Sequence, residues 1–343
     1  MNKTKRWYIL AAFAVLGLWA WQQTQFVVQT SAAQAEEARV LIPGGQAIGV
    51  ALKTQGVLVV SRASRQEMRT PLRVGDVILA VQGEQIESAQ ELSQRLSEVN
   101  ADSVELSVLR GEKQLALKAS TPVSATDGKR RLGVWVRDST AGVGTLSFID
   151  PETMAYGALG HAIVDADTGE MLSVRDGAIM EADVVGVVKG ESGCAGELKG
   201  SFLKEGKQIG TLHHNSVYGI YGVMDELVDD VIYPQGLLVG ERSEAHEGKA
   251  TIVSTVDKNG PMVYNIEILR CFDQDKPSQK GMILRVTDER LLEKTGGIVQ
   301  GMSGSPIIQD GKLIGALTHV YLSDPTQGYG MYIEWMLQEA DEV

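Results

Sequence analysis

The chain has 343 residues, with 32 basic and 44 acidic side chains and a formal charge of −12. At 43% apolar and 22% charged it has the composition of a folded chain rather than a disordered one, with length for about two domains. The acidic balance argues against a nucleic-acid partner, and two cysteines, Cys194 and Cys271, are too few for a disulfide scaffold or a structural zinc site. Thirty-eight glycines beside 9 prolines point to turn-rich β structure.

Lys3, Lys5 and Arg6 precede an apolar run over residues 7–21, and a polar stretch ends in Ala33-Gln34-Ala35. A charged start, an apolar centre and a small-x-small exit predict a secretory signal over residues 1–35. The run falls short of the roughly 20 residues that cross a bilayer. Cleavage after Ala35 and retention as an N-terminal anchor both fit, and either places the rest of the chain outside the cytosol. Export permits a Cys194–Cys271 disulfide, and two separate buried thiols fit equally well.

Residues 36–122 read as a small β-rich module. Val40-Leu41-Ile42 leads into Pro43-Gly44-Gly45-Gln46-Ala47-Ile48-Gly49-Val50, then the strand Gly56-Val57-Leu58-Val59-Val60. Leu72-Arg73-Val74-Gly75-Asp76-Val77-Ile78 follows. Ser88 with Glu91 has capping-box spacing for a helix that puts Leu92, Leu96 and Val99 on one face. Val104, Leu106 and Val108, then Leu115 and Leu117, alternate as two closing strands. This order resembles a PDZ domain. The resemblance implies protein binding by strand addition, with Gly44, Gly45, Gln46, Ala47, Ile48, Gly49 and Val50 as the loop that contacts the target or another copy of the chain.

Thr121 to Lys129, with Pro122 and Asp127-Gly128, reads as a linker. Residues 123–343 show short apolar runs between turns, as in Leu132-Gly133-Val134-Trp135-Val136 and Val184-Val185-Gly186-Val187-Val188. Asn259-Gly260 and Asp310-Gly311 each lie between two such runs, a hairpin signal. Many short strands predict a barrel or sandwich, and Trp335-Met336-Leu337 predicts a short terminal helix.

The chemistry-bearing stretch is Gly297-Ile298-Val299-Gln300-Gly301-Met302-Ser303-Gly304-Ser305-Pro306. Its glycines permit a tight turn that exposes Ser303, and the N–H groups of Gly301 and Ser303 are placed to converge as an oxyanion hole. Ser305 is a rival nucleophile. Of five histidines, His161 in Gly160-His161-Ala162 suits a base held at a barrel edge. His319 is placed to line a substrate pocket, while His213, His214 and His246 lie in polar surroundings. No Cys or His pair has zinc-ligand spacing, so neither a metal nor a cofactor is expected.

Gly157-Ala158-Leu159-Gly160-His161, Asp165-Ala166-Asp167-Thr168-Gly169, the run from Leu291 through Pro306, and Thr318-His319-Val320 resemble the stage IV sporulation protein B family of serine peptidases, of the trypsin clan. With the leading segment and the PDZ module, the resemblance covers essentially the whole chain. It implies a mostly β fold, a PDZ domain followed by a chymotrypsin-like double β-barrel, and a triad of His161, Asp288 and Ser303. By residue type alone Asp165 and Asp167 are equal candidates for the acid. It also implies an endopeptidase in the space between the forespore membranes. Its substrates would be itself and a membrane-bound regulator of an intramembrane metalloprotease, cut to signal during spore formation. Two other readings are a non-catalytic PDZ scaffold with a degenerate trypsin-like domain and a general envelope-quality protease. The intact Ser303 loop and the PDZ-first order set both below the first.

Overall fold

The computed structural model describes residues 39–63, 70–124, 127–202 and 207–343, so the predicted export segment lies outside the described residues. Six strands among these close a first barrel. Ala47–Arg62 pairs along its first half with Val174–Glu181, which pairs with Gln208–Ser216 and then Gly219–Met224. Ala155–Ala158 and the second half of Val134–Ile149 complete the circuit back to Ala47–Arg62. Lys312–Val320 opens a second circuit of six, through Pro306–Gln309, Gly248–Thr255, Pro261–Cys271, Met282–Val286 and Gln327–Tyr332. Closure leaves no edge strand in either barrel. The strand Val40–Pro43 spans the two, pairing with Val134–Ile149 on one side and Leu237–Val239 on the other.

Each barrel fills with the inward residues of its own strands. Ile48, Val50, Leu52, Leu146, Ile149, Ile179 and Ile220 form the first core, and Ile252, Ile266, Leu284, Ile307, Leu317 and Met331 belong to the second. A third core, from Val57 and Val59 through Leu72, Ile78, Leu92, Leu96 and Leu106 to Leu132, belongs to the PDZ module.

These cores correct the predicted boundaries of 36–122 for the PDZ module and 123–343 for the peptidase. Residues 47–54 are a strand of the first barrel, and the PDZ-like module is inserted between that strand and the next, over residues 56–137. Two continuous 16-residue strands, Ala47–Arg62 and Val134–Ile149, carry the chain in and out. Gly56, at φ +76°, marks the change of partner, because a Cβ there would stand 2.6 Å from the Ile78 carbonyl oxygen. Alternation reveals a half-buried strand but not which sheet receives it.

Local expectations hold where the signal is local. Ser88 caps the helix Ala89–Glu98 by accepting from the Glu91 N–H, and Leu92 and Leu96 are buried. Asp310 and Gly311, at φ 50° and 76°, form a two-residue hairpin that pairs Gln309 with Lys312. The helix Ile333–Ala340 includes the expected Trp335 to Leu337. In Leu72-Arg73-Val74-Gly75-Asp76, the buried Asp76 accepts from the Arg73 N–H and holds the Arg110 guanidinium by both oxygens, at 2.7 and 2.8 Å. Cys194 and Cys271 are separate thiols, the first exposed and the second half-buried.

Candidate active site

His161 follows the first-barrel strand Ala155–Ala158, and Ser303 precedes the second-barrel strand Pro306–Gln309. Both line one open cleft of about 750 Å³ between the barrels, together with residues 140–144, Gln279, residues 298–301 and residues 318–320. Among the described residues, no Asp, Glu, Lys or Arg lines it.

Two left-handed residues turn the chain sharply into His161. Leu159 has φ 69° and Gly160 φ 68°. A leucine in that region is strained, and it is held there because its N–H donates to the Thr145 carbonyl (3.1 Å) and its side chain is buried. The His161 Nδ1 lies 3.0 Å from the Ala162 carbonyl. A carbonyl only accepts, so in the neutral ring the proton sits on Nδ1 and Nε2 carries the free lone pair that a general base needs.

The loop that carries Ser303 is pinned at several points. The Met302 side chain is fully buried in the second core, and Gly304 N–H donates to the Leu317 carbonyl (2.7 Å). Thr145 Oγ1, from the first barrel, donates to the Gly301 carbonyl at 2.7 Å. Ser303 is half-buried and its hydroxyl donates to the Thr318 carbonyl at 2.9 Å. The N–H groups of Gly301 and Ser303 make no hydrogen bond among the described residues, which leaves both for an oxyanion. Ser305 is fully buried and its hydroxyl donates to the Met302 carbonyl (2.7 Å), so the rival nucleophile is unavailable.

Asp288 is not delivered to His161. It caps the helix Glu289–Thr295, accepting from the Arg290 N–H, and its oxygens also take the Arg290 guanidinium (2.8 and 3.0 Å) and the Asn265 N–H. The physical reason is local. An aspartate in Thr287-Asp288-Glu289-Arg290 at a helix start finds its donors within two residues. The other candidates, Asp165 and Asp167, are taken by Arg137. In this structure the Ala162 carbonyl holds the imidazole instead.

The Arg290 guanidinium, opposed by burial and aided by the Asn265 N–H, holds the Asp288 carboxyl at about 2, below its ordinary 3.8. A depressed folded-state value means the stabilisation, about 2 kcal/mol, is present above pH 4 and lost as pH falls toward 2. Asp288→Asn keeps an N-cap but loses the ion pair. The expected result is a melting temperature lower by roughly 4–8 °C at neutral pH, a flatter acid limb, and turnover per folded molecule within tenfold of the parent. A loss of turnover near 10⁴-fold, the size seen when an orienting acid is neutralised, would restore Asp288 to the triad.

The predicted PDZ loop is also placed elsewhere. Gly44 and Gly45 N–H groups donate to the Ser147 and Leu146 carbonyls, Gln46 reaches the Asp229 and Asp230 carbonyls, and Ala47, Ile48 and Val50 are buried in the barrel cores. Gly49 packs under Phe202, where a Cβ would stand 2.5 Å from the ring. These residues are consumed by the barrel and are not free to bind a peptide as a PDZ loop does. His319 does line the cleft, its ring centroid 6.0 Å from that of His161. Burial, then the neighbouring His161 and Lys280, pull its pKa below the usual imidazole value. His213 is exposed, while His214 meets Glu339 and His246 meets Asp310 away from the cleft. Thr145, Asn215 and Arg137, which hold the two loops, carried no sequence signal, because each acts through a contact with a distant segment.

Residues 128–337, well over half the chain, match the SpoIVB peptidase S55 family. The chain belongs to that family. This S55 peptidase is therefore a serine peptidase. No curated protein matches it. Among solved structures, the PDZ domain of the SdrC-like protein from Listeria monocytogenes is 20% identical, covering 24% of this chain and 87% of that chain with a TM-score of 0.22. The Rv3671c protease from M. tuberculosis in its active form is 15% identical over 60% of this chain and 74% of that chain, with a TM-score of 0.33. The HtrA-type protease AlgW with a tripeptide is 12% identical, covering 58% and 54%, with a TM-score of 0.34.

Proposed function

We propose that this S55 peptidase is an exported endopeptidase in which His161 activates Ser303, and which cuts itself and a membrane-associated regulatory protein during spore formation. The carrying observation is the shared cleft, lined by Ser303 and by a His161 whose Nδ1 lies against the Ala162 carbonyl, with two amides at the Ser303 loop that make no hydrogen bond among the described residues. Ser303 Oγ leaves the Thr318 carbonyl and attacks the substrate carbonyl as His161 Nε2 takes its proton. The oxyanion forms against the Gly301 and Ser303 N–H groups, and the imidazolium then protonates the leaving amine. The export segment predicted from the sequence supports action between two membranes, and the family supports a regulator of an intramembrane metalloprotease as target.

The PDZ module would take an extended segment of the substrate, or of a second copy, along residues 134–138. That stretch pairs on one side with residues 58–62. Gly133, at φ +73°, and Leu132 precede it with N–H groups that make no hydrogen bond among the described residues.

Mass spectrometry of the purified full chain beside its His161→Ala form tests the catalytic reading. The parent is expected to yield discrete self-cleavage fragments, and the variant none. Identical fragments from both preparations would remove His161 from the mechanism.

A further inference from the structure

We propose that Arg137 is a positioning residue that ties the His161 loop to the strand shared by the PDZ module and the first barrel. The inference rests on the reading of His161 as the base. Arg137 lies in Val134–Ile149, opposite Leu58, where the strand passes from one module to the other. One guanidinium nitrogen donates to Asp165 Oδ2 and the other to Asp167 Oδ2 at 2.7 Å.

Asp165 stands four residues after His161 and its side chain is fully buried. Its second oxygen accepts from the Asp167 N–H (3.1 Å), the Thr168 N–H (2.9 Å) and the Thr168 hydroxyl (3.0 Å), which closes the turn behind the histidine. Between them Ile163 is gripped at both backbone groups by Asn215, at 2.8 and 2.9 Å. The segment that carries the imidazole is thus anchored at Ile163 and at Asp165, and the second anchor belongs to Arg137. A buried carboxylate that loses its cation must move or take up a proton. Either change reaches His161 through four residues of chain.

The neighbouring residue gives the link its direction. Asp138 Oδ2 accepts from the N–H of Ala89, the first residue of the PDZ helix Ala89–Glu98. Successive strand residues point to opposite faces. Arg137 and Asp138 therefore hold the catalytic loop and the PDZ helix to two sides of one strand. A segment docking along residues 134–138 would bear on both.

The bland alternative is that Arg137 merely neutralises a buried carboxylate. Full-length Arg137→Met, Arg137→Lys, Asp165→Asn and Asp138→Ala forms separate the two, with competent sites counted by fluorophosphonate titration and kcat expressed per titrated site. For Arg137→Met the expected result is a kcat about tenfold to a hundredfold lower with KM within about threefold, and Arg137→Lys recovering most of it. Asp138→Ala should lower kcat in the parent but add nothing to Arg137→Met, since both act through one link. A purely structural role would reduce the number of titrated sites and leave kcat per site unchanged, which overturns the proposal. If Arg137→Met fails to fold, Asp165→Asn decides: unchanged kcat per site overturns the proposal equally, and a fall of about tenfold or more with Arg137→Lys near the parent supports it. Full multiplication of the Asp138 and Arg137 effects removes the connection to the PDZ helix. His161→Ala, run beside them, keeps the base assignment separate: its turnover at the parent's rate sinks that reading, whatever Arg137 does.

Discussion

Ser303→Ala is expected to lower peptide-bond hydrolysis on the order of 10⁵- to 10⁶-fold, to the residual rate supplied by the oxyanion donors and binding alone. The fold should barely notice. The lost hydroxyl makes one hydrogen bond, to the Thr318 carbonyl, worth about 1 kcal/mol, so the melting temperature should move by no more than a few degrees. The loop keeps its shape because Met302, Gly304 and Ser305 hold it by packing and backbone bonds in which the Ser303 side chain takes no part. Steady-state rates on a fluorogenic peptide, with fluorophosphonate labelling of the parent alone, check this. Labelling that persists in Ser303→Ala would mean that the reactive alcohol lies elsewhere.

Gly304→Ala should be nearly as damaging, by the opposite route. Gly304 sits at φ +99°, and a Cβ there would stand 2.2 Å from the Thr145 carbonyl oxygen and 2.6 Å from the Leu159 nitrogen. Neither neighbour gives way cheaply. Thr145 holds the Gly301 carbonyl and the Leu159 N–H, so pushing it displaces the loop that carries Ser303 and the His161 turn together. Backbone strain of about 1–3 kcal/mol adds to an overpacking cost of similar size. The expected outcome is a melting temperature lower by roughly 10 °C and a kcat reduced more than a hundredfold in the fraction that folds. Thermal denaturation and rates per titrated site measure the two effects separately. Near-parental values for both would show that the barrels are not in contact at this point.

The alphabet of the chain was sufficient for most features whose cause lies within a few residues. The capped helix after Ser88, the Asp310-Gly311 hairpin and the turn that presents Ser303 follow from side chains bonding to their own backbone or from glycine tolerating positive φ. Apolar alternation likewise announced a mostly β molecule. It could not say where one module stopped, because Ala47–Arg62 carries the same alternating pattern into two different sheets. The glycines before it looked like a binding loop and became barrel packing for the same reason. At Asp288 the resemblance named a role, and the nearest donors, Arg290 and Asn265, claimed the carboxylate first. Only closure of two barrels brings His161 and Ser303 to the lining of one cleft, and only a strand common to two modules sets Arg137 against Asp165. Those relations join residues 142 and 28 positions apart in the chain. Composition and local spacing carry no record of such distances, because they arise from which strands pair once the chain has folded.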